Sequence, residues 1–164
     1  MKKLASRTAQ YDMTAEFNPV FSEWVVDSVD GTKKTFGSTP ALSTDPAEIA
    51  LNGPVANTIT FDGIPLPPGA VVVGGSVIVE TAYVGPAAAT VSVGVAGNLT
   101  ALANVVDLKT VGRTALVLAT PLLSNAGQNL RITVAYTVAN ATAGKFRVRV
   151  SYTVDGRTSE IQIS

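Results

Sequence analysis

The second half of the sequence consists of short apolar segments that alternate with polar residues and are separated by glycine, proline and asparagine. The clearest of them is KFRVRVSYTV at 145–154. Successive side chains of a strand point to opposite faces of a sheet, so this alternation predicts a strand with one apolar face. The residues assigned to that face are Phe146, Val148, Val150, Tyr152 and Val154.

The sequence as a whole predicts eight to ten short strands, most of them from residue 55 onward, where this texture dominates. They are assigned to 57–61, 70–84, 89–95, 113–120, 129–138, 145–154 and 158–164, and the strand at 70–84 is either single or divided by a bulge at Gly74 and Gly75. The prolines of IPLPPG, after Asp62 and Gly63, indicate an extended segment that cannot donate ladder hydrogen bonds. Because the links are too short for helical crossovers, the pattern favours an all-β antiparallel β-sandwich that is jelly-roll-like.

The first third of the chain has a different character. Residues 1–20 are polar and weakly patterned, which predicts an extended N-terminal arm. SEWVVDSVDGTKKTFG predicts a hairpin with strands near 22–29 and 32–37 around the turn Asp30-Gly31, and 38–54 is assigned to a long loop. We therefore divide the chain into an arm (1–20), a hairpin and loop (21–54) and a β-sandwich domain (55–164), with 21–164 as one folded unit.

The charged fraction, the net charge and the distribution of charge along the chain constrain the class of molecule that the protein binds. Only 15% of the 164 residues are charged, against a usual fraction of about 25%, which indicates a large core or a surface covered by other protein. Twelve basic and twelve acidic residues cancel, which argues against non-specific nucleic-acid binding. The first 104 residues carry five basic and nine acidic residues, and the rest carry seven and three. This asymmetry is either scattered surface charge or an acidic part of one subunit that meets a basic part of another.

The residue types present leave little chemistry. There is no cysteine and no histidine, so a disulfide framework and the best zinc ligands are absent from the sequence. The aspartates at 27, 30, 62, 107 and 155 fall at predicted turns or strand ends, and no pair stands out as a catalytic dyad. Asp27, Asp30 and Asp45 lack the spacing of a calcium loop. We predict no enzyme activity, no cofactor and no metal, and no apolar run is long enough to predict a membrane segment.

The basic residues of the KFRVRV segment allow two interpretations. Lys145, Arg147 and Arg149 could hold a phosphate backbone, or they could form the outer side of a strand whose other side fills the core. Outward aromatic residues between them, which single-strand nucleic-acid platforms use, are missing, and basic residues on an edge strand block stray pairing. We favour a solvated or protein-contacting face. Four aromatic side chains are assigned to core packing: Trp24, Tyr83, Tyr136 and Tyr152.

Three phrases of the C-terminal two thirds resemble small capsid decoration (cement) proteins of tailed bacteriophages. They are IPLPPGAVVVGGSVIVETAYVGPAAATVSVGVAGNL, VVDLKTVGRTALVL and NATAGKFRVRVSYTVDGR, within residues 55–160. The hairpin WVVDSVDGTKKTFGST is similar to the opening of that family. The resemblance includes no catalytic motif.

The resemblance implies a β-rich protein that oligomerises on the outside of an expanded capsid and clamps neighbouring capsomers. Its implied partners are the major capsid protein and further copies of itself, with a trimer favoured over a dimer, and no nucleic acid or membrane. It would be made in the host cytoplasm and located on the virion exterior. The candidate capsid or inter-subunit contacts are Lys2, Lys3, Arg7, Lys145, Arg147 and Arg149.

Three alternatives remain open at this stage. The first is a receptor- or carbohydrate-binding β-sandwich of a virion fibre or a bacterial surface, although few aromatic residues are available for stacking on sugars. The second is another virion component, such as a tail-tube or head–tail connector subunit. The third is a hydrolase, which would need two carboxylates with raised pKa values in a cleft.

Overall fold

The computed structural model describes residues 13–28, 31, 33–36, 57–118, 122–124, 126–137 and 141–154. These residues form eleven strands and no helix. The strands are β1 (Met13–Phe17), β2 (Trp24–Val26), β3 (Lys33–Thr35), β4 (Asn57–Leu66), β5 (Ala70–Val84), β6 (Ala88–Val95), β7 (Asn98–Asp107), β8 (Gly112–Ala115), β9 (Leu122–Ser124), β10 (Gln128–Thr137) and β11 (Ala143–Val154).

Two antiparallel sheets make up the sandwich. The first sheet has the order β1-β11-β5-β8, with β9 also paired to β5, and the second sheet has the order β4-β10-β6-β7. Strands that follow one another in sequence often lie in opposite sheets, as β4 and β5 do, which is the connectivity of a double Greek key. The predicted all-β, jelly-roll-like fold is confirmed.

The core lies between the two sheets and follows the alternation of their strands. Phe146, Val148 and Val150 of β11 are fully buried, as are Ile132 and Val134 of β10. A register shift after Ser151 ends the simple alternation of β11. Beyond that bulge Thr153 is buried, and Tyr152 and Val154 are only partly buried. Five apolar residues were predicted on one face: the first three are fully buried, and Tyr152 and Val154 are partly buried and pack against the core.

Several strand boundaries differ from those that the sequence predicts. β4 continues through Gly63 and Pro65 to Leu66, with a bulge opposite Leu130 and Arg131, so the predicted end at Asp62 is wrong. Pro65 is tolerated because β4 is an edge strand, whose outer side needs no donor. β5 is a single strand, and residues 98–107, which were not predicted as a strand, form β7. The segments 38–54 and 158–164 lie outside the described residues.

The N-terminal region enters the first sheet earlier than the sequence predicts. Residues 13–17, assigned to the arm, form β1 and pair with β11 from Met13 opposite Tyr152 to Phe17 opposite Val148. The alternation of MTAEF is short, and only the neighbouring strand selects its inner face. As a result β11 has a strand on either side, and the prediction that its basic residues protect a sheet edge is wrong.

The predicted hairpin is confirmed as β2 and β3, and it covers the outer edge of β4. Asp27 accepts hydrogen bonds from Lys34 Nζ at 3.0 Å and from the Thr60 backbone N–H at 3.3 Å, while the Ser28 N–H donates to the Thr60 carbonyl. The Tyr136 hydroxyl donates to the Phe36 carbonyl at the end of the hairpin. These bonds occupy edge groups of β4 that would otherwise be open to another strand.

Trp24 does not lie in the core. Its side chain is 58% exposed, so the core assignment is wrong, whereas Tyr83 and Tyr136 are buried as predicted. The ammonium group of Lys33 lies 3.9 Å from the centre of the Trp24 ring, in cation–π contact. The hairpin is instead anchored by Phe36, whose ring packs at 5.1 Å from that of Phe61. In a three-residue strand that crosses the edge of a sandwich, alternation does not specify which side meets the core.

Because two tyrosines are buried, we predict that the free energy of unfolding falls at alkaline pH. Burial raises the pKa of Tyr83 to about 12 and raises that of Tyr136 as well. Because both pKa values rise on folding, the neutral tyrosines stabilise the fold fully below pH 10, the ordinary tyrosine pKa. That stabilisation is lost as the pH increases through the folded pKa values. We expect the free energy of unfolding to fall between about pH 10 and 12, as measured by urea titrations followed by circular dichroism.

The Tyr83→Phe variant provides the matched control for this titration. Tyr83 is buried, and its replacement removes one of the two hydroxyls whose pKa is raised while it keeps the aromatic ring in the core. The variant should lose less stability than the wild type over this pH range. An equal loss in both proteins would show that Tyr83 does not contribute.

Candidate interaction surface

The outer face of the first sheet carries the basic residues identified from the sequence. Lys145, Arg147 and Arg149 lie together on this face of β11, between β1 and β5. The other three candidates, Lys2, Lys3 and Arg7, lie outside the described residues. We call the set Glu16, Glu80, Lys145, Arg147 and Arg149 the charged face.

Two glutamates on the neighbouring strands pair with these cations. Glu80 of β5 binds Lys145 Nζ at 2.7 Å and Arg147 Nη2 at 2.6 Å. Glu16 of β1 lies 3.5 Å from Arg149 Nε and 3.7 Å from Arg147 Nη1. The charged face is therefore a crosslinked patch of three cations and two anions that spans three strands.

The pKa of Glu80 reflects this arrangement. The hydrogen bond from Lys145 lowers it, and the charges of Arg147 and Lys145 act in the same direction. Because the pKa is lowered on folding, the stabilisation is present above the ordinary carboxylate pKa and is lost as the pH falls through the lowered value. All these side chains are partly exposed, so the network orients the strands more than it stabilises them.

The charged face is poorly suited to a phosphate backbone. Each of its cations has a carboxylate within 4 Å, so few counterions would be released when a polyanion binds. The Arg147 side chain is enclosed enough that its Nε atom has no contact with solvent. The geometry favours contact with a protein surface that offers both signs of charge.

A double variant tests whether the glutamates shield the cations of the charged face from a polyanion. Glu16→Gln with Glu80→Gln removes both carboxylate partners of these cations. We expect the wild type to be weakly retained on a heparin column and the double variant to elute at higher salt. Asp62→Asn with Asp107→Asn changes the net charge equally and serves as the control. Equal retention of the two double variants would mean that the charged face is not shielded by its glutamates.

The remaining described carboxylates have local partners. Asp27 is held in the hairpin, and Asp62 pairs with Arg131 Nε at 3.1 Å. Asp107 accepts from the Lys109 N–H and the Thr110 hydroxyl, and these bonds lower its pKa. Among the described residues no group of three metal-ligating side chains occurs, and no helix is long and apolar enough to cross a membrane. Asp30, Asp45 and Asp155 lie outside the described residues.

A shallow recess and several exposed apolar side chains complete the described surface. The recess lies between the hairpin and the second sheet and has a volume of 450 Å³. It is lined by Val25, Val26, Ser28, Phe61, Asp62 and Arg131. The most exposed large apolar residues elsewhere are Val105, Val111 and Val117, on or next to β7 and β8.

Comparison with known proteins gives likenesses of structure alone. The chain is similar to a chain of the capsid asymmetric unit of cyanophage Pam1, with 18% identity, a TM-score of 0.49, and coverage of 94% of this chain and 92% of that one. It is also similar to a chain of the acid-stable capsid structure of Helicobacter pylori bacteriophage KHP30, with 17% identity, a TM-score of 0.49 and 87% coverage of each chain. No family model and no curated protein matches the sequence.

Proposed function

We propose that the chain is a structural virion protein that binds the outer surface of an expanded phage capsid and clamps neighbouring capsomers. One observation carries this proposal: the part of the sequence that resembles decoration proteins is the part that forms strands β4 to β11 of the jelly roll. Jelly rolls are common in viral capsid and lectin domains. The charged face, with its paired cations and anions, is suited to contact with other protein.

Such a protein would act by thermodynamic linkage. A ligand that binds the expanded shell, and not its unexpanded or dissociated form, shifts the equilibrium toward the expanded shell. Many copies on one lattice strengthen weak contacts through a high effective concentration. Lys2, Lys3 and Arg7 of the arm and the loop at 38–54 remain predicted contacts, and the charged face is the described candidate.

Co-sedimentation with capsids tests the proposed function. Purified protein is mixed with expanded and unexpanded capsids of the phage that encodes it, and bound copies are counted. We expect saturable binding at a fixed copy number to the expanded form alone. Absence of binding to both forms would overturn the proposal.

A truncated variant then tests the arm. Because β1 begins at Met13, deletion of residues 1–12 removes the basic part of the arm and keeps every described strand of the first sheet. We expect lower occupancy of expanded capsids by this variant. Unchanged occupancy would assign the binding to the folded domain.

The exposure of Trp24 supports a second candidate, a carbohydrate-binding module. Its ring is the one exposed aromatic side chain among the described residues, and exposed aromatics stack on sugar rings. Lys33 occupies one position over that ring, which reduces the area for stacking. A glycan panel with the wild type and Trp24→Ala decides between the two, since a sugar site would give binding that the variant loses.

A further inference from the structure

The two edge strands of the first sheet are regular, and neither has a paired strand on its outer side in the part of the chain that the structure describes. β1 pairs with β11 over five consecutive positions and β8 pairs with β5 over four, without a register shift in either. No described strand forms a ladder with either outer side, and β7 contacts the end of β8 through a single bond from the Val117 N–H to the Leu102 carbonyl at 2.7 Å. An open edge presents unused backbone donors and acceptors to another strand.

The edges of the second sheet are less available. The hairpin covers β4 through Asp27 and Ser28. β7 contains a bulge opposite Ser92, where Val105 has a φ of 51° and is 61% exposed. Positive φ is rare for a β-branched residue, and a bulge twists an edge away from further pairing. A partner strand would therefore join the first sheet.

Backbone direction identifies the outward groups of β8. The Leu116 N–H donates to the Gly75 carbonyl at 3.1 Å, next to the regular β5–β8 ladder. Hydrogen-bonded and non-bonded pairs alternate in an antiparallel ladder. The N–H and C=O groups of Arg113 and Ala115 consequently point away from β5, and both residues are exposed.

The same alternation of hydrogen-bonded and non-bonded pairs, applied from β8 to β5, then to β11 and then to β1, identifies the outward backbone groups of β1. The registers of the two pairings leave the backbone groups of Thr14 and Glu16 pointing away from β11. Both residues are exposed and lie on the outer face. Because three antiparallel pairings separate β1 from β8, the two edges run in opposite directions.

The charges of the two edges are opposite. Arg113 has no ion-pair partner among the described residues, and Glu16 is held by its own arginines only at 3.5 Å and 3.7 Å. Pairing of β8 with β8, or of β1 with β1, about a two-fold axis would bring like charges together, whereas β1 against β8 brings opposite charges together. Charge therefore selects a second copy of this chain arranged head to tail, and the opposite directions of β1 and β8 allow these two strands to pair antiparallel.

We propose that β1 of one copy adds to β8 of the next and continues the first sheet between subunits. Glu16 lies opposite Arg113 of the neighbouring copy, and this register places Thr14 opposite Ala115. Val111 and Val117, which flank β8 and are 61% and 65% exposed, supply apolar area next to the added strand. A head-to-tail interface closes into a ring when its rotation allows, as in a trimer. This self-association does not depend on capsid binding.

Introduced cysteines test the register directly, because the chain contains none of its own. Hydrogen-bonded antiparallel pairs have Cα atoms about 5.5 Å apart, within the range that a disulfide spans. Thr14→Cys and Ala115→Cys variants are oxidised alone and as an equal mixture. We expect covalent dimers from the mixture and none from either variant alone. The double variant should give covalent species larger than dimers.

Two results would overturn the interface. If one cysteine variant alone gave covalent dimers in the same yield as the mixture, the contact would be between identical strands about a two-fold axis. A folded mixture that does not crosslink would show that these edges do not meet. A mixture of the Thr90→Cys and Ala115→Cys variants is the control. Thr90 lies in the middle of the second sheet, so this mixture should not crosslink.

Ala115→Pro provides an independent measurement on the same edge. Its N–H points outward, and proline is tolerated at such positions of edge strands. We expect the variant to keep the wild-type circular dichroism spectrum and to fall to the monomer mass in light scattering, while Ala115→Ser keeps the oligomer mass. A folded proline variant with an unchanged oligomer mass would contradict the proposal. If the proline variant does not fold, the cysteine crosslinking experiment is the deciding test.

Discussion

Replacement of Asp27 by alanine is expected to lower the free energy of unfolding by about 3–5 kcal/mol. The carboxylate is 2% exposed, and it pairs with Lys34 Nζ, which is also buried. Without Asp27 the buried ammonium group would lose the carboxylate that lies 3.0 Å away. The Thr60 N–H would lose its acceptor as well. Urea unfolding followed by circular dichroism measures the change.

Two control variants separate the buried pair from surface effects. Asp27→Ala combined with Lys34→Met removes both charges, and it should recover much of the loss because the buried ammonium group is removed together with its carboxylate. Asp62→Ala breaks the half-exposed pair with Arg131 and should cost less than about 1 kcal/mol. A loss of similar size for Asp27→Ala and Asp62→Ala would contradict the buried-charge explanation.

Gly75→Ala is expected to cost roughly 2–6 kcal/mol, the sum of overpacking and backbone strain. Gly75 has a φ of +153°, and an added Cβ would lie 2.3 Å from the Arg149 carbonyl oxygen and 2.6 Å from Leu116 Cδ1. The Arg149 oxygen belongs to the central strand of the first sheet and cannot move without disturbing the ladder. Thermal and urea unfolding of the variant measure the loss.

The adjacent glycine is the matched control. A Cβ on Gly74 would meet no atom within 4 Å, and its φ is not positive. Gly74→Ala should therefore change stability by less than about 1 kcal/mol. The pair Gly74-Gly75 was predicted to mark a bulge or a bend, and the register shift of β5 against β11 falls next to it, with Val73 left without a partner. Equal effects of the two substitutions would argue against the close approach at Gly75.

The candidate surface was only half predictable from the sequence. The alternation of KFRVRV correctly placed Lys145, Arg147 and Arg149 on one face. Their partners Glu16 and Glu80 lie far away in sequence, on different strands, and only strand order and register bring them within 4 Å. The uneven charge of the two halves of the chain was the sole signal of such a pairing.

Errors in the prediction arose where alternation was too short to specify a side. WVV gives Trp24 an apolar strand context, but three residues fit either face, and packing of Phe36 against Phe61 decides which side is inward. MTAEF was assigned to the arm for the same reason. Its inner face exists only because β11 lies next to it.

The sequence by itself determined the fold class, the positions of most strands and the absence of cysteine and histidine chemistry. These properties depend on local patterns: a period of two, turn residues between strands and residue composition. The tertiary structure alone decided the neutralisation of the basic stripe, the burial of Asp27 with Lys34, the bulges and the open edges of β1 and β8. Each of these depends on contacts between residues far apart in sequence, and the local pattern of a strand does not specify its neighbour.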